Sequence, residues 1–282
     1  MQSDSINSNG IGKRRPPLPF VGNKCRWWNE LSEIARSLPA GFRVLDAFGG
    51  SFSISRIMKD ANPDLDITTN DYNGEYTARL ESIGDTAERL RMMWEILEKY
   101  GEPRGGAKRG HFLKFNSEEC LSKVMSVASA GADKKTLYGY LSGSVRTCNA
   151  DGNFRTTIIN KIPATMPFSA DMAAQWVDGL NIRPSGVLNS LDARRDAKAF
   201  DLVICDPPYT GNGKMYMGCE EAARRYTLEI IGTCKQFCAF DTRGTPIHRA
   251  AVNFGGPALR IFERNKFGGR NSIGSEYMYL KL

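Results

Sequence analysis

The run Phe200-Asp-Leu-Val-Ile-Cys205 is short and mostly apolar, and it stops at two consecutive prolines. A run of this length and composition fits a strand buried on both faces, as in α/β sheets. Proline fixes φ and lacks a backbone donor, so Asp206-Pro207-Pro208-Tyr209 reads as a stiff turn at the carboxyl end of that strand. Ligands of open α/β sheets sit beyond the carboxyl ends of the strands, so this tetrapeptide is placed for chemistry.

An α/β rhythm surrounds it. Arg26–Ser37 has helical spacing, with Trp27, Leu31 and Ile34 on one side. Phe42–Leu45 and Asp66–Thr69 read as strands flanking a helix over Ser53–Lys59. A long helical pattern covers Glu75–Tyr100, interrupted near Gly84, and then Gly101–Gly110 is a Gly-rich, basic linker. Helices are predicted over Ser117–Ser129, Ala170–Leu180 and Cys219–Lys235, and strands over Phe237–Phe240, Leu259–Glu263 and Tyr277–Leu280. The Asp151-Gly152 turn, between polar and β-branched segments, predicts a hairpin.

Composition removes several classes. Fourteen Phe, ten Tyr and four Trp supply ample core, which argues against disorder. No stretch is apolar enough for a membrane span, and the polar start MQSDSINSNG is unlike a secretory signal. Seven scattered Cys, an odd number, argue for a reducing compartment rather than a disulfide framework. With only His111 and His248, a His-built metal site is not expected. The net charge of +7 points to a polyanionic partner.

The residues of the proline turn suit one difficult reaction. Asp206 can accept a hydrogen bond from an exocyclic amine, the Pro207 carbonyl a second, and Tyr209 offers a face for stacking. The lone pair of adenine N6 is delocalised into the ring. Two acceptors holding both N6 hydrogens favour a more tetrahedral nitrogen and stabilise the positive charge that develops on it during methyl transfer. Upstream, the strand at Phe42–Leu45 runs into an acidic, Gly-rich turn, Asp46-Ala-Phe48-Gly-Gly50, where a cofactor can approach the backbone. Asp71 follows the next strand at a spacing of 25 residues, suited to ribose hydroxyls.

Taken together, these residues resemble the Dam-type (α-class) DNA adenine-N6 methyltransferases. The resemblance implies a Rossmann-like α/β methyltransferase sheet using S-adenosylmethionine, with no metal. Phe20-Val-Gly-Asn-Lys24 is similar to the family's first cofactor motif, which places Phe20 and Lys24 against the methionine part. Asp46, Phe48 and Gly50 match its main cofactor loop, except that Phe52 stands where a later glycine is usual, so the loop path is open to question. Asn70-Asp71 is similar to the ribose-binding element; Tyr72 and Leu191-Asp192 would lie near the cofactor's adenine. Asp206, Pro207, Pro208 and Tyr209 match the catalytic motif in its adenine-type form, with Asp206 also beside the cofactor.

Motif order adds an architecture. In this family the 160 positions between Asp46 and Asp206 hold a target-recognition domain. This predicts a catalytic domain formed by residues 1–80 and 186–282, with an insert of helices and a β-hairpin over 81–185 that binds DNA. Arg146, Asn149, Asn153 and Arg155 match the recognition hairpin, with Arg suited to guanine edges or phosphate. Lys214, in the Gly-rich loop after Tyr209, is placed to meet a phosphate. Within the insert, residues 104–161 hold ten Lys/Arg against four Asp/Glu, a local basic segment suited to a polyanion.

The expected protein methylates a flipped-out adenine in double-stranded DNA, at a GATC-like or relaxed site. It would be a monomer or weak dimer in the cytoplasm of a bacterial or phage-infected cell, associated with the nucleoid and not with membrane. RNA adenine methylation and a catalytically silent nucleic-acid-binding protein are the competing readings.

Overall fold

The computed structural model describes residues 16–18, 24–72, 74–100, 102–103, 113–114, 119, 122–123, 126–127, 169–185, 192–208, 220–265 and 275–282. The chain divides into two compact units. One is built from Met1–Arg14, Lys24–Gly74 and Gly179–Leu282, the other from Arg15–Asn23 and Glu75–Asp178.

The first unit holds a seven-stranded sheet: β1 (Arg43–Asp46), β2 (Asp66–Tyr72), β3 (Asn181–Ser185), β4 (Leu202–Cys205), β5 (Phe237–Thr242), β6 (Leu259–Asn265) and β7 (Ser275–Lys281). Their spatial order is β3-β2-β1-β4-β5-β7-β6. The first five are parallel, with Leu45 of β1 opposite Thr68 of β2 and Val203 of β4. β7 runs antiparallel between β5 and β6. Strand order reverses between β1 and β4, which opens the switch-point crevice beyond their carboxyl ends. This is a mixed, Rossmann-like α/β fold.

Period-two alternation builds two cores, one on each face of the sheet. Val44, Ile204, Phe240 and Leu280 face α1 (Trp28–Ser37) and α2 (Ser53–Ala61), whose Leu31, Ile34 and Ile57 complete that layer. Leu45, Val203, Ala239 and Tyr279 point the other way, toward Tyr226, Ile230 and Ile247. The helices on that face are α6 (Ala193–Ala199), α7 (Glu220–Thr233) and α8 (Pro246–Gly255). Arg43 and Asp201 clamp the starts of β1 and β4 with bonds of 2.8 and 3.0 Å, and the strand expected over Phe200–Cys205 begins at Leu202.

The second unit contains α3 (Glu75–Glu81), α4 (Ile83–Tyr100) and α5 (Ala170–Val177). Tyr76, Leu80, Ile83, Leu90, Met93 and Trp176 are buried in it. Glu102–Pro103 pairs antiparallel with Leu113–Lys114. The interruption expected near Gly84 is the break between α3 and α4. α5 ends at Val177, short of the expected Leu180. No helix among the described residues is long and apolar enough to cross a membrane.

Several elements escaped the sequence reading, among them the Glu102–Pro103 strand inside the expected linker and its partner Leu113–Lys114. β3 carries Pro184, which suits its place at a sheet edge, where a missing donor is tolerated. α6 is too short and polar to show periodicity. α8 is announced by its cap: Thr245 Oγ1 accepts from the His248 amide at 3.1 Å, and Pro246 opens the helix.

Candidate active site

The turn after β1 is built around small residues and one exception. The Ala47 amide donates to the Ile204 carbonyl at 3.0 Å, joining the turn to β4, and the Gly49 amide donates to the Asn70 carbonyl at 3.1 Å. A Cβ on Gly49 would stand 2.5 Å from Thr69 Cγ2 and 2.9 Å from the Asn70 carbonyl oxygen. Gly50 has φ +54° and Phe52 +58°, the one positive φ on a non-glycine among the described residues. Phe52 thus adopts the left-handed conformation that glycine tolerates most easily. That costs about 1–2 kcal/mol, which full burial of the ring offsets. Gly49→Ala is expected to lower stability by about 1–3 kcal/mol, read as a lower denaturant midpoint at unchanged slope.

Asp46, at the end of β1, is fully buried. Its Oδ2 accepts from Ser55 Oγ at 2.8 Å, and Ser55 in turn accepts from Thr69 Oγ1 at 2.6 Å. The other oxygen, Oδ1, has no hydrogen-bond partner among the described residues, and neither has Asn70 Oδ1. Burial pushes the Asp46 carboxyl up to about 6, against the opposing pull of Ser55, the Phe48 amide and Lys24. The Asn70 side chain donates to the Ala47 carbonyl at 3.1 Å, and Asp71 is buried near the end of β2. Phe48 meets Tyr226 edge-on with centroids 5.8 Å apart, and the Tyr226 hydroxyl donates to the buried Asp196 at 3.0 Å. Together these residues fix the turn at the switch point.

Beside them lies a second charged group. Asp206 follows β4, and its Oδ2 is ion-paired with Lys24 Nζ. Lys24 is buried; its amide donates to Ser53 Oγ at 2.9 Å, and its ammonium lies 5.5 Å over the Phe240 ring. Glu276 Oε1 approaches the same ammonium at 3.6 Å. Burial, then Glu276 and Asp46, push the Asp206 carboxyl up to about 7, while Lys24 pulls it down. A carboxyl so poised changes charge near neutrality.

The structure therefore brings Lys24, Asp46, Phe48, Gly50, Asp71, Asp206, Pro207 and Pro208 into one unit, at or near the carboxyl ends of β1, β2 and β4. Tyr72 is the last residue of β2, paired with Ser185. Asp192 is the N-cap of α6, where its Oδ1 accepts from the amides of Arg194 and Arg195 at 3.0 Å, a structural duty that the sequence reading did not assign. Phe20, Leu191, Tyr209, Arg146, Asn149, Asn153, Arg155 and Lys214 lie outside the described residues, as does the expected hairpin. Glu276 was missed altogether. The predicted last strand began one residue after it, and an acid in a polar stretch gives no sign that it will be buried.

The sheet order, the Gly-rich turn after β1 and the acidic residues at the strand ends define a Rossmann-like α/β protein with a polar switch-point crevice. No protein-family model matches the chain. Over 115 residues it is 26% identical to a Haemophilus influenzae protein that carries the provisional name of methyltransferase. That match covers 39% of this chain and 37% of the relative, so the chain spans little more than a third of the relative's length. Among solved structures it is similar to an rRNA methylase from Streptococcus thermophilus (9% identity, 96% of this chain and 99% of that one, TM-score 0.31). It is also similar to a precorrin-6y C5,15-methyltransferase from Geobacter metallireducens (8% identity, 94% and 93%, TM-score 0.35). Superpositions this loose carry no assignment of substrate or residue.

Proposed function

We propose that this chain is an S-adenosylmethionine-dependent methyltransferase acting on adenine N6 in double-stranded DNA. The observation that carries the reading is the convergence of Asp46 and Asp206 at the switch point, with a stiff proline turn beside a glycine turn pressed onto β2. The partial match to a protein named as a methyltransferase supports the reaction class. The residues fit an adenosyl cofactor. Asp46 Oδ1 and Asn70 Oδ1 are buried acceptors without partners among the described residues, and Gly49 leaves no room for a side chain between turn and strand. Asp46, Phe48, Gly50 and Asp71 would hold it, with Asp71 toward ribose hydroxyls.

When bound, S-adenosylmethionine supplies an electrophilic methyl group. The chain's own residues do the rest. Asp206 accepts one hydrogen of the substrate amine and stabilises the positive charge that grows on its nitrogen, and the Pro207 carbonyl accepts the second. Pro207 and Pro208 keep those acceptors from turning away. Tyr209 stacks on the extruded base and recovers roughly 1–3 kcal/mol of the unstacking cost. Arg146, Asn149, Asn153 and Arg155, on the hairpin expected in the insert, would grip the duplex together with Lys214, which follows Tyr209 in the catalytic part of the chain.

Expression in cells devoid of adenine methylation, followed by native-DNA sequencing, tests this reading. N6-methyladenine at one motif or at many is the expected result, and it also separates a GATC-like site from relaxed targeting. DNA that stays unmodified while cellular RNA gains N6-methyladenine would transfer the reading to RNA.

A further inference from the structure

Glu276 sits on β7 and is 4% exposed. Its Oε2 accepts from the Trp27 indole at 2.8 Å and lies 3.1 Å from the Arg26 guanidinium, so donors fix that oxygen. Its Oε1 lies 3.6 Å from Lys24 Nζ, on an ammonium that is also paired with Asp206. One buried cation thus bridges two carboxylates delivered by strands 70 positions apart in sequence, and neither the motif pattern nor the proposed cofactor set accounts for the second.

An ammonium committed wholly to Asp206 would saturate the oxygen that must accept from the substrate amine. A second carboxylate within ion-pair distance of that ammonium draws on the cation and leaves Asp206 better able to accept from a nitrogen that becomes positive. Resting on the methyl-transfer reading above, we infer that Glu276 is a positioning residue for that reaction: it holds the Lys24 ammonium in a shared seat and so keeps Asp206 available to the amino group. Asp206 is faced by Lys24 from the segment before α1, Glu276 from β7, Asp46 from β1 and the Cys238 thiol from β5; Arg26 acts on it through Glu276.

Glu276→Gln keeps the shape and the acceptor for Trp27 while removing the charge. The expected result is a kcat lower by about tenfold, less than for loss of a directly contacting group, with the cofactor KM within about threefold. The acid limb of the pH–rate profile moves down by about one unit as a neighbouring anion is lost. The Asp206 titration, read by carbon-13 NMR of carboxyl-labelled aspartate in the cofactor-free protein, moves the same way. A purely structural Glu276 would change the folded fraction and leave limb and titration in place, which would overturn the inference. Glu276→Asp keeps the charge, so it should return the limb to its wild-type position while kcat stays reduced. Should the glutamine variant not fold, a wild-type kcat in the aspartate variant would equally overturn it. A titration that shifts in a protein without any methyl transfer would instead count against the methyltransferase reading, so the two failures are separable.

Discussion

Asp206→Ala is expected to lower methyl transfer by about 10²–10³-fold or more, the range seen when one group that stabilises transition-state charge is removed. The loss should fall on kcat, because in the proposed reaction Asp206 would meet the substrate amine most strongly when the nitrogen becomes positive. Duplex binding should persist, since the contacts assigned to the insert are untouched. Wild-type activity itself should rise with pH through about 7, because burial favours the neutral carboxyl and the ionised form is the one that accepts. A pH–rate profile together with single-turnover kinetics on both proteins checks this. Substantial residual turnover in the variant would remove Asp206 from its assigned role.

Lys24→Met carries the second large effect. It leaves Asp206 and Glu276 beside one another without the ammonium that lies between them, and breaking a buried pair in this way costs about 3–5 kcal/mol. The pH dependence has a definite sign. Asp206 and Asp46 both have folded-state pKa values raised above the ordinary range, to about 7 and about 6. Each therefore favours the folded state fully below its unfolded pKa near 4, and that contribution is lost as pH rises through 6 and 7. The methionine variant should lie closest to wild type near pH 5, where Asp206 is neutral, and farthest from it at pH 8. Denaturant melts at the two pH values measure the difference; an equal deficit at both would mean that Lys24 acts by packing alone.

The strands of the site were legible because their signals are local. Leu202–Cys205 is an unbroken apolar run, and the prolines after it mark its end without any knowledge of the rest of the chain. Asp46 and Asp71 were found for the same reason, each standing at the close of a short apolar or β-branched segment. Glu276 was not legible. Its burial depends on β7 pairing antiparallel with β5, which places Glu276 opposite Thr242, and on an indole and a guanidinium delivered from the other end of the chain. α8 lies between these cases. Its Thr245-Pro246 cap is a local signal, but one that periodicity alone does not register. Phe52 shows another limit. The departure from glycine was visible in the sequence, yet only the structure reveals that Phe52 takes a left-handed backbone angle and buries its ring.

The basic segment 104–161 has a consequence for binding in the proposed reaction. With ten Lys/Arg against four Asp/Glu over residues 104–161, affinity for duplex DNA should fall steeply with salt.

Methyl transfer to adenine N6 can be measured directly. Purified protein is incubated with S-adenosylmethionine labelled in its methyl group and with unmethylated duplex DNA, and the digested nucleosides are resolved by mass spectrometry. The account predicts labelled N6-methyladenine with the wild type and none above background with Asp206→Ala. Label on another nucleoside, or equal label with both proteins, would contradict it.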